Sequence, residues 1–322
     1  MMSSHFLLTA AARTLSLSAV ARMSDEEARD TFRRIRWADN NGEPYCPKCG
    51  CVKVYAYATR PLWKCTGCRY QFSVTAGTIF ANRKLPIRDY LLAIAIFANS
   101  AKGHSALQLS RDLDCQYKTA FVLAHKMREA MQAEQRNATV AGTAEVDGAY
   151  FGGHVKPENK KEDRKDRRLA EERTGKRQVV VVLRERGGKT LPFVVARESE
   201  GAALVRQRAE SGTIIHADES SAWDRLHASY DTRRVNHSLE YRAADGACIN
   251  WAESYFSRLR RAEIGQHHRI SGKYLHQYAG EMAWREDHRR RPNGALWSAI
   301  TGAALAHPIS NTWAGYWQRS AA

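Results

Sequence analysis

Two cysteine pairs constrain the fold of this chain more than any other feature. Cys46 and Cys49 in "YCPKCG" are followed, after fifteen intervening residues, by Cys65 and Cys68 in "WKCTGC". Two CxxC knuckles at that separation bring four thiolates around one tetrahedral Zn2+, each closing a tight turn helped by Gly50 or Gly67. The stretch between them, "VKVYAYATRPLWK", mixes β-branched and aromatic residues and predicts the short strands of a zinc ribbon. So small a unit has little core, and metal binding supplies most of its folding free energy, on the order of 10 kcal/mol. A redox dithiol would instead show one CxxC beside a βαβ pattern. Cys51 directly follows the first knuckle and is a substitute ligand by position, although CxxC spacing favours Cys49. Cys115 and Cys248 stand alone and read as buried small hydrophobes. Seven cysteines, an odd number, do not make a disulfide framework and point to a reducing cytoplasm.

The charge balance narrows the partner. Fifty Lys and Arg against 34 Asp and Glu leave a net charge of +16, which favours a polyanion such as nucleic acid. The count does not by itself separate DNA from RNA, from an anionic membrane or from a solubilising surface. No apolar run approaches the roughly 20 residues of a membrane-spanning helix, so a soluble, cytoplasmic protein is expected. Residues 1–22 contain Arg and Ser but no acid and read as a non-structural extension, with Met23 as the start. From there "MSDEEARDTFRRIRWAD" predicts an N-terminal helix within 23–41, capped by Ser24 with Asp25, Glu26 and Glu27 at its positive end.

Beyond a zinc ribbon over 42–82, the pattern over 83–136 is helical. "DYLLAIAIFANSA" is apolar nearly all round and predicts a buried helix ending near Gly103. Then "HSALQLSRDLDCQYKTAFVLAHKMREAM" reads as a helix capped by Ser105, a break at "LDCQ", and a helix from about Tyr117 to Met131. This is the outline of a helix-turn-helix whose second helix presents Gln116, Tyr117, Lys118 and Thr119 to a major groove. An ordinary helical linker has the same outline.

Over 140–290 strands and helices alternate. "TAEVDGAYF" is a first strand, and Gly152 and Gly153 release it into the charged stretch 156–177, which has no apolar periodicity and suits a solvated loop. "RQVVVVLRE" and "TLPFVVAR" form a hairpin around Gly187 and Gly188, which supply positive φ. A helix over 200–210, the strand "GTIIHAD", a helix "ESSAWDRLHASY", the strand "TRRVNH" and a polar helix from near Cys248 follow. That order is the order of a ribonuclease-H-like α/β fold. In it the middle of the first strand lies beside the end of the fourth, so Asp147 and Asp218 meet although 70 residues separate them. Glu253, in "NWAESYFSRLRRAE", is placed to add a third carboxylate. Phosphodiester cleavage needs an activated attacking oxygen and a stabilised leaving oxygen, which two Mg2+ ions about 4 Å apart provide. Each acid also has a plainer reading: Asp147 and Asp218 as turn residues at strand ends, Glu253 on a solvated helix face. Glu145 shares a strand face with Asp147 and supports it, while Glu219 and Asp224 are competing neighbours.

These motifs together resemble the zinc-ribbon DDE transposases of bacterial insertion sequences, in their ISXO-type branch. The resemblance covers roughly residues 25–290 and rests on "YCPKCG", "WKCTGCRYQFSVTAGTIF", "YKTAFVLAHKMREAM", "EVDGAYFGGH", "IIHADESSAW", "VNHSLEY" and "NWAESYFSRLRRAEIGQHHRISGKYLHQYAGEMAWR". It implies an enzyme that binds the ends of its own element, cuts them with Mg2+ or Mn2+ and joins the 3' hydroxyls to target DNA. Asp147 and Asp218 match the first two catalytic and metal-binding acids. The third place is open between Glu253, taken as the ligand, and Asn250, one turn earlier, as a supporting contact. Arg260, two turns beyond Glu253, is placed to hold a DNA phosphate. His267 and His268 match a family "HH" and read as phosphate contacts or structural residues, and His237 is equally open. Where relatives often carry an asparagine, this chain reads "AWREDHRRR", with Glu286 and Asp287 outside the triad.

Two other readings share part of this pattern. A non-enzymatic zinc-ribbon and helix-turn-helix regulator would have no need of the acids, and a resolvase-like nuclease would have less need of the ribbon. Holding two element ends together predicts a homo-oligomer on DNA. The tail 291–322, with Trp297, Trp313 and Trp317, is expected to pack on the catalytic core or on a partner subunit.

Overall fold

The computed structural model describes residues 6–151, 160–164, 177–236 and 242–319. Two compact units result: one from the chain up to Ala133 together with the chain from His288 onward, the other from Glu134–Asp287. Among the described residues no helix is long and apolar enough to cross a membrane.

The first unit begins earlier than the sequence reading placed it. Residues 6–22 are packed: helix α1 (Leu17–Ala21) buries Val20 and lies against α3, and the amides of Thr14 and Leu15 both donate to Asn293 Oδ1 at 2.8 Å. A segment of small and apolar residues without acids suits packing as well as it suits a leader, so composition alone could not separate them. Helix α2 (Asp25–Arg36) has the predicted cap, Ser24 and Glu27 each bonding the other's backbone amide. The ribbon follows as β1 (Val54–Ala56), β2 (Trp63–Cys65) and β3 (Gln71–Phe72), an antiparallel sheet in that order. Its small core is aromatic, with Trp37 set edge-on to Trp63 and Phe72. Helix α3 (Ile87–Asn99) is buried as its all-round apolar pattern predicts. Helices α4 (Ala106–Asp112, capped by Ser105) and α5 (Tyr117–Met131) make the expected pair across a short break.

The second unit is a ribonuclease-H-like α/β fold. Its elements are β4 (Thr143–Phe151), β5 (Gln178–Glu185), β6 (Thr190–Val195), α6 (Gly201–Arg208), β7 (Ile214–Ala217), β8 (Asp231–Arg234), α7 (Asn250–Ala262) and α8 (Leu275–Asp287). The sheet order is β6-β5-β4-β7-β8; β6, β5 and β4 run antiparallel, whereas β7 pairs parallel to both β4 and β8. β5, valine-rich and buried on both sides, has the composition of a central strand. One face of the sheet packs Ala149, Phe151, Val180 and Val182 against α7 and α8; the other packs Val146, Val181 and Ile215 against Val205 of α6 and Trp223.

Two local expectations differ in detail. In the β5–β6 turn only Gly187 has positive φ; Gly188 is needed because a Cβ there would overlap the Glu185 carboxylate. "ESSAWDRLHASY" forms no regular α-helix but a 3-10 segment, Ser221–Leu226, because Asp218 and Ser220 bond the local amides and the Trp223 indole. Gly152, Gly153, His237 and most of the 156–177 loop lie outside the described residues.

The chain then returns to the first unit. Helix α9 (Asn293–Ala306) and the single turn α10 (Tyr316–Arg319) complete it, with Trp297 Nε1 donating to the Leu91 carbonyl at 3.0 Å and Trp313 stacked 4.3 Å from the His125 ring. The tail thus packs on α3 and α5, whose apolar faces accept its indoles.

Candidate active site and metal centre

Cys46, Cys49, Cys65 and Cys68 converge. Cys46 lies 3.6 Å from Cys68 and Cys49 3.6 Å from Cys65, sulfur to sulfur, and all four sulfurs fall within 4.8 Å of one another. Tetrahedral zinc with Zn–S of about 2.3 Å sets its sulfurs about 3.8 Å apart, so the cluster fits the ion. The backbone supports the knuckles: the Gly50 amide donates to the Cys46 carbonyl and the Cys68 amide to Cys65 Sγ. Cys51 is not a fifth candidate, since its thiol turns toward the Lys53 carbonyl and Thr66.

The acids are assembled by strand register. β4 and β7 run parallel with Val146 opposite Ala217, so the next residue on each strand is an aspartate, Asp147 and Asp218. Asp147 is half-buried, and its carboxyl is pushed up to about 8 by burial first and then by the charges of Asp218, Glu198 and Glu253, against an opposing bond from the Gly148 amide. Four carboxylates therefore share one electrostatic neighbourhood. Their oxygens do not form a single tight cage: among the described residues only the cysteines bring three or more ligand atoms within 4.8 Å. Hard oxygen donors and excess negative charge are the chemistry that a divalent cation such as Mg2+ takes.

Glu198 was not foreseen. It lies just after β6, its carboxylate sits where a Cβ of Gly148 would be, and Ser220 Oγ donates to it at 3.1 Å. Burial and the Asp218 charge raise its pKa. The one sequence signal was Gly148 itself, a glycine inside a strand, which marks close approach by another group.

Neighbouring residues fix the acids. Asp218 Oδ1 accepts from Trp223 Nε1 at 2.8 Å and from the Ser220 amide at 3.2 Å. Arg234 donates to the carbonyls of Asp218 and Ser220 and pairs with Asp224, so Asp224 braces this loop. Glu145, fully buried, accepts from the amides of Trp251 and Ala252 at 2.7 and 3.1 Å, capping the N-terminus of α7. Its other oxygen accepts from Arg186, which also reaches His216 and Cys248. Cys248 is accordingly a half-buried polar contact where a buried apolar residue was expected. Burial first, and then Arg186, hold His216 below the usual imidazole range.

Asn250 and Glu253 lie on the first turn of α7, both exposed. Only Glu253 is among the charges acting on Asp147. Arg260 is exposed on the same helix, its guanidinium 5.8 Å from the Phe151 ring. His267 lies edge-on to Tyr278 at 4.6 Å, while His268 is exposed with φ of 56°. Glu286 is no site residue: it is buried, bonded to Arg184 and Arg258, and Arg184 in turn reaches the Trp251 carbonyl. Asp287 accepts from Thr190 of β6.

At the other proposed DNA contact, Tyr117 is exposed, Thr119 half-buried and Lys118 exposed. The Lys118 ammonium stands 5.3 Å from the Trp317 ring centre, and Trp317 Nε1 donates to the Lys118 carbonyl. The first turn of α5 is thus partly covered by the C-terminal turn.

The profile of the ISXO2-like transposase domain matches residues 139–287, the stretch that carries the four acids, and that of the transposase zinc-ribbon domain matches residues 23–71. The two profiles mark this chain as carrying a transposase zinc ribbon followed by an ISXO2-like transposase domain. A curated relative, "Uncharacterized protein in transposable element ISH50" of Halobacterium salinarum, is 25% identical over 296 residues, covering 88% of this chain and 98% of that protein. Among solved structures, "Crystal structure of the Mos1 Strand Transfer Complex" overlaps 66% of this chain and 78% of its own chain at 12% identity and a TM-score of 0.22, a superposition too loose to bear on the fold. The fold assignment rests on strand order and on the family.

Proposed function

We propose that this transposase binds the ends of its element, cleaves DNA phosphodiesters with two divalent ions, Mg2+ or Mn2+, and transfers the 3' hydroxyls to target DNA. The observation that carries this reading is the β4–β7 register, which brings Asp147 and Asp218 to adjacent strand positions with Glu253 within electrostatic reach. Asp147, Asp218 and Glu253 would hold the ions, with Asn250 as a supporting contact. Bound there, the ions supply an activated attacking oxygen and stabilise the leaving one. The chain's own part is to hold the geometry: Trp223 and Ser220 occupy one oxygen of Asp218 and leave the other free, and Glu145 anchors the start of α7. Arg260 would take a phosphate, and Tyr117, Lys118 and Thr119 would contact DNA. Zinc bound by the four cysteines would keep the ribbon folded. Pairing two ends calls for a homo-oligomer on DNA.

The test is purified protein with Mg2+ and a labelled duplex of the sequence flanking its gene. Nicking and joining are expected, and Asp147→Asn should abolish both while duplex binding persists. Binding without Mg2+-dependent nicking would make the chain a DNA-binding regulator instead.

A further inference from the structure

A cavity of about 530 Å3 lies inside the first unit, between α5 and the C-terminal turn. That volume is within the roughly 300–1,000 Å3 of small-molecule sites. Its lining is chemically one-sided: Lys84, Lys118 and Lys126 face it, and among the described residues no carboxylate does. Tyr316 and Trp317 give it an aromatic wall, and Gln116 adds a carboxamide with both donors and an acceptor. Lys126 is half-buried on α5 and makes no ion pair or hydrogen bond among the described residues. Burial lowers its pKa, with the Glu129 charge only partly opposing. An apolar peptide would leave these amines uncompensated, and a bare inorganic anion would make no use of the indole. A planar, hydrogen-bonding ring joined to a phosphate uses both.

We propose that this cavity is a nucleotide site, which takes one unstacked nucleotide with its base against Trp317 and its phosphate among Lys84, Lys118 and Lys126. Aromatic stacking tolerates any base and amines read only the phosphate, so the site is sequence-indifferent. It deepens the DNA-processing reading, on which it rests only for the source of the nucleotide, a strand of DNA as opposed to the free monomer. It also gives a role to the C-terminal turn, which completes the cavity over the first turn of α5.

Zinc-loaded full-length protein is titrated with a fully paired duplex, with the same duplex carrying one extrahelical adenine, and with free dAMP. The extrahelical adenine should tighten binding roughly tenfold, the scale of one stacked base. Trp317→Ala and Lys126→Gln should each remove most of that gain, and Lys126→Gln should leave binding of the paired duplex and the thermal midpoint near those of the parent. Saturable dAMP binding that the same substitutions abolish, without a preference for the extrahelical base, would assign the site to free nucleotides. If neither preference nor dAMP binding exists, or if both variants retain them, the proposal is overturned. Failure to bind the paired duplex would count against the DNA-processing reading, and dAMP would still decide the cavity.

Discussion

Asp147 stabilises the metal-free fold least at alkaline pH. Its carboxyl titrates near 8 in the folded chain against an ordinary value of 3.8, so over that interval unfolding releases a proton and its contribution to stability falls as pH rises. Above about pH 8 the full cost of a buried, crowded charge is present. Asp147→Asn should therefore raise the melting temperature of zinc-loaded, Mg2+-free protein near pH 8, by several degrees for a gain of about 1–3 kcal/mol. The advantage should shrink toward about pH 5, and Mg2+ should stabilise the parent more at high pH than at low. A variant no more stable than the parent in alkaline, Mg2+-free calorimetry would refute the crowding. Trp223→Phe removes the indole donor to Asp218 and keeps an aromatic, though smaller, ring in the core. It should raise the Mg2+ concentration needed for half-maximal nicking about 10–100-fold, the usual effect of losing a group that orients a metal ligand. Unchanged Mg2+ dependence would show that the bond does not orient Asp218.

Between elements, α7 is fixed to the sheet by buried charge. Glu145 of β4 holds its first amides, and Arg184 of β5 joins its Trp251 carbonyl to Glu286 of α8. Burial pushes Glu286 up, but the Arg258 and Arg184 guanidiniums outweigh it and the net shift is down. Removing Arg184 leaves buried Glu286 with Arg258 alone, one carboxylate oxygen without its cation, and the Trp251 carbonyl without its donor. Arg184→Met should cost about 3–5 kcal/mol in denaturant unfolding, whereas Arg233→Met, from a largely exposed pair with Asp231, should cost under about 1 kcal/mol. Equal costs for the two would contradict this account. The acids of "WREDH" thus make structural contacts, Glu286 with Arg184 and Arg258 and Asp287 with Thr190.

For the whole chain, the ribbon depends on its metal far more than the second unit does. Its strands span only two or three residues each, and its aromatic core is small. Stripping zinc with a strong chelator should unfold it, a loss on the order of 10 kcal/mol of binding free energy, and open residues 45–72 to hydrogen exchange. Amides of β4 and β5 should stay protected; loss of protection in both regions together would mean that zinc holds up the whole molecule.

Local and periodic features were legible in the sequence itself. The cysteine spacing named the four thiols that converge, the Ser24 cap started α2, and the strand order implied that Asp147 and Asp218 would be neighbours. Each depends on contacts close along the chain or on a topology that alternating patterns encode. Glu198 and the capping role of Glu145 were not legible, because their partners are 50 and 106 residues away and are chosen by packing; the Trp223 bond to Asp218, only 5 residues back, was hidden because the stretch read as regular helix forms a 3-10 segment. Residues 6–22 were read as non-structural for a related reason. Composition shows that such segments have apolar surface to bury, and only the tertiary structure shows which helices receive it.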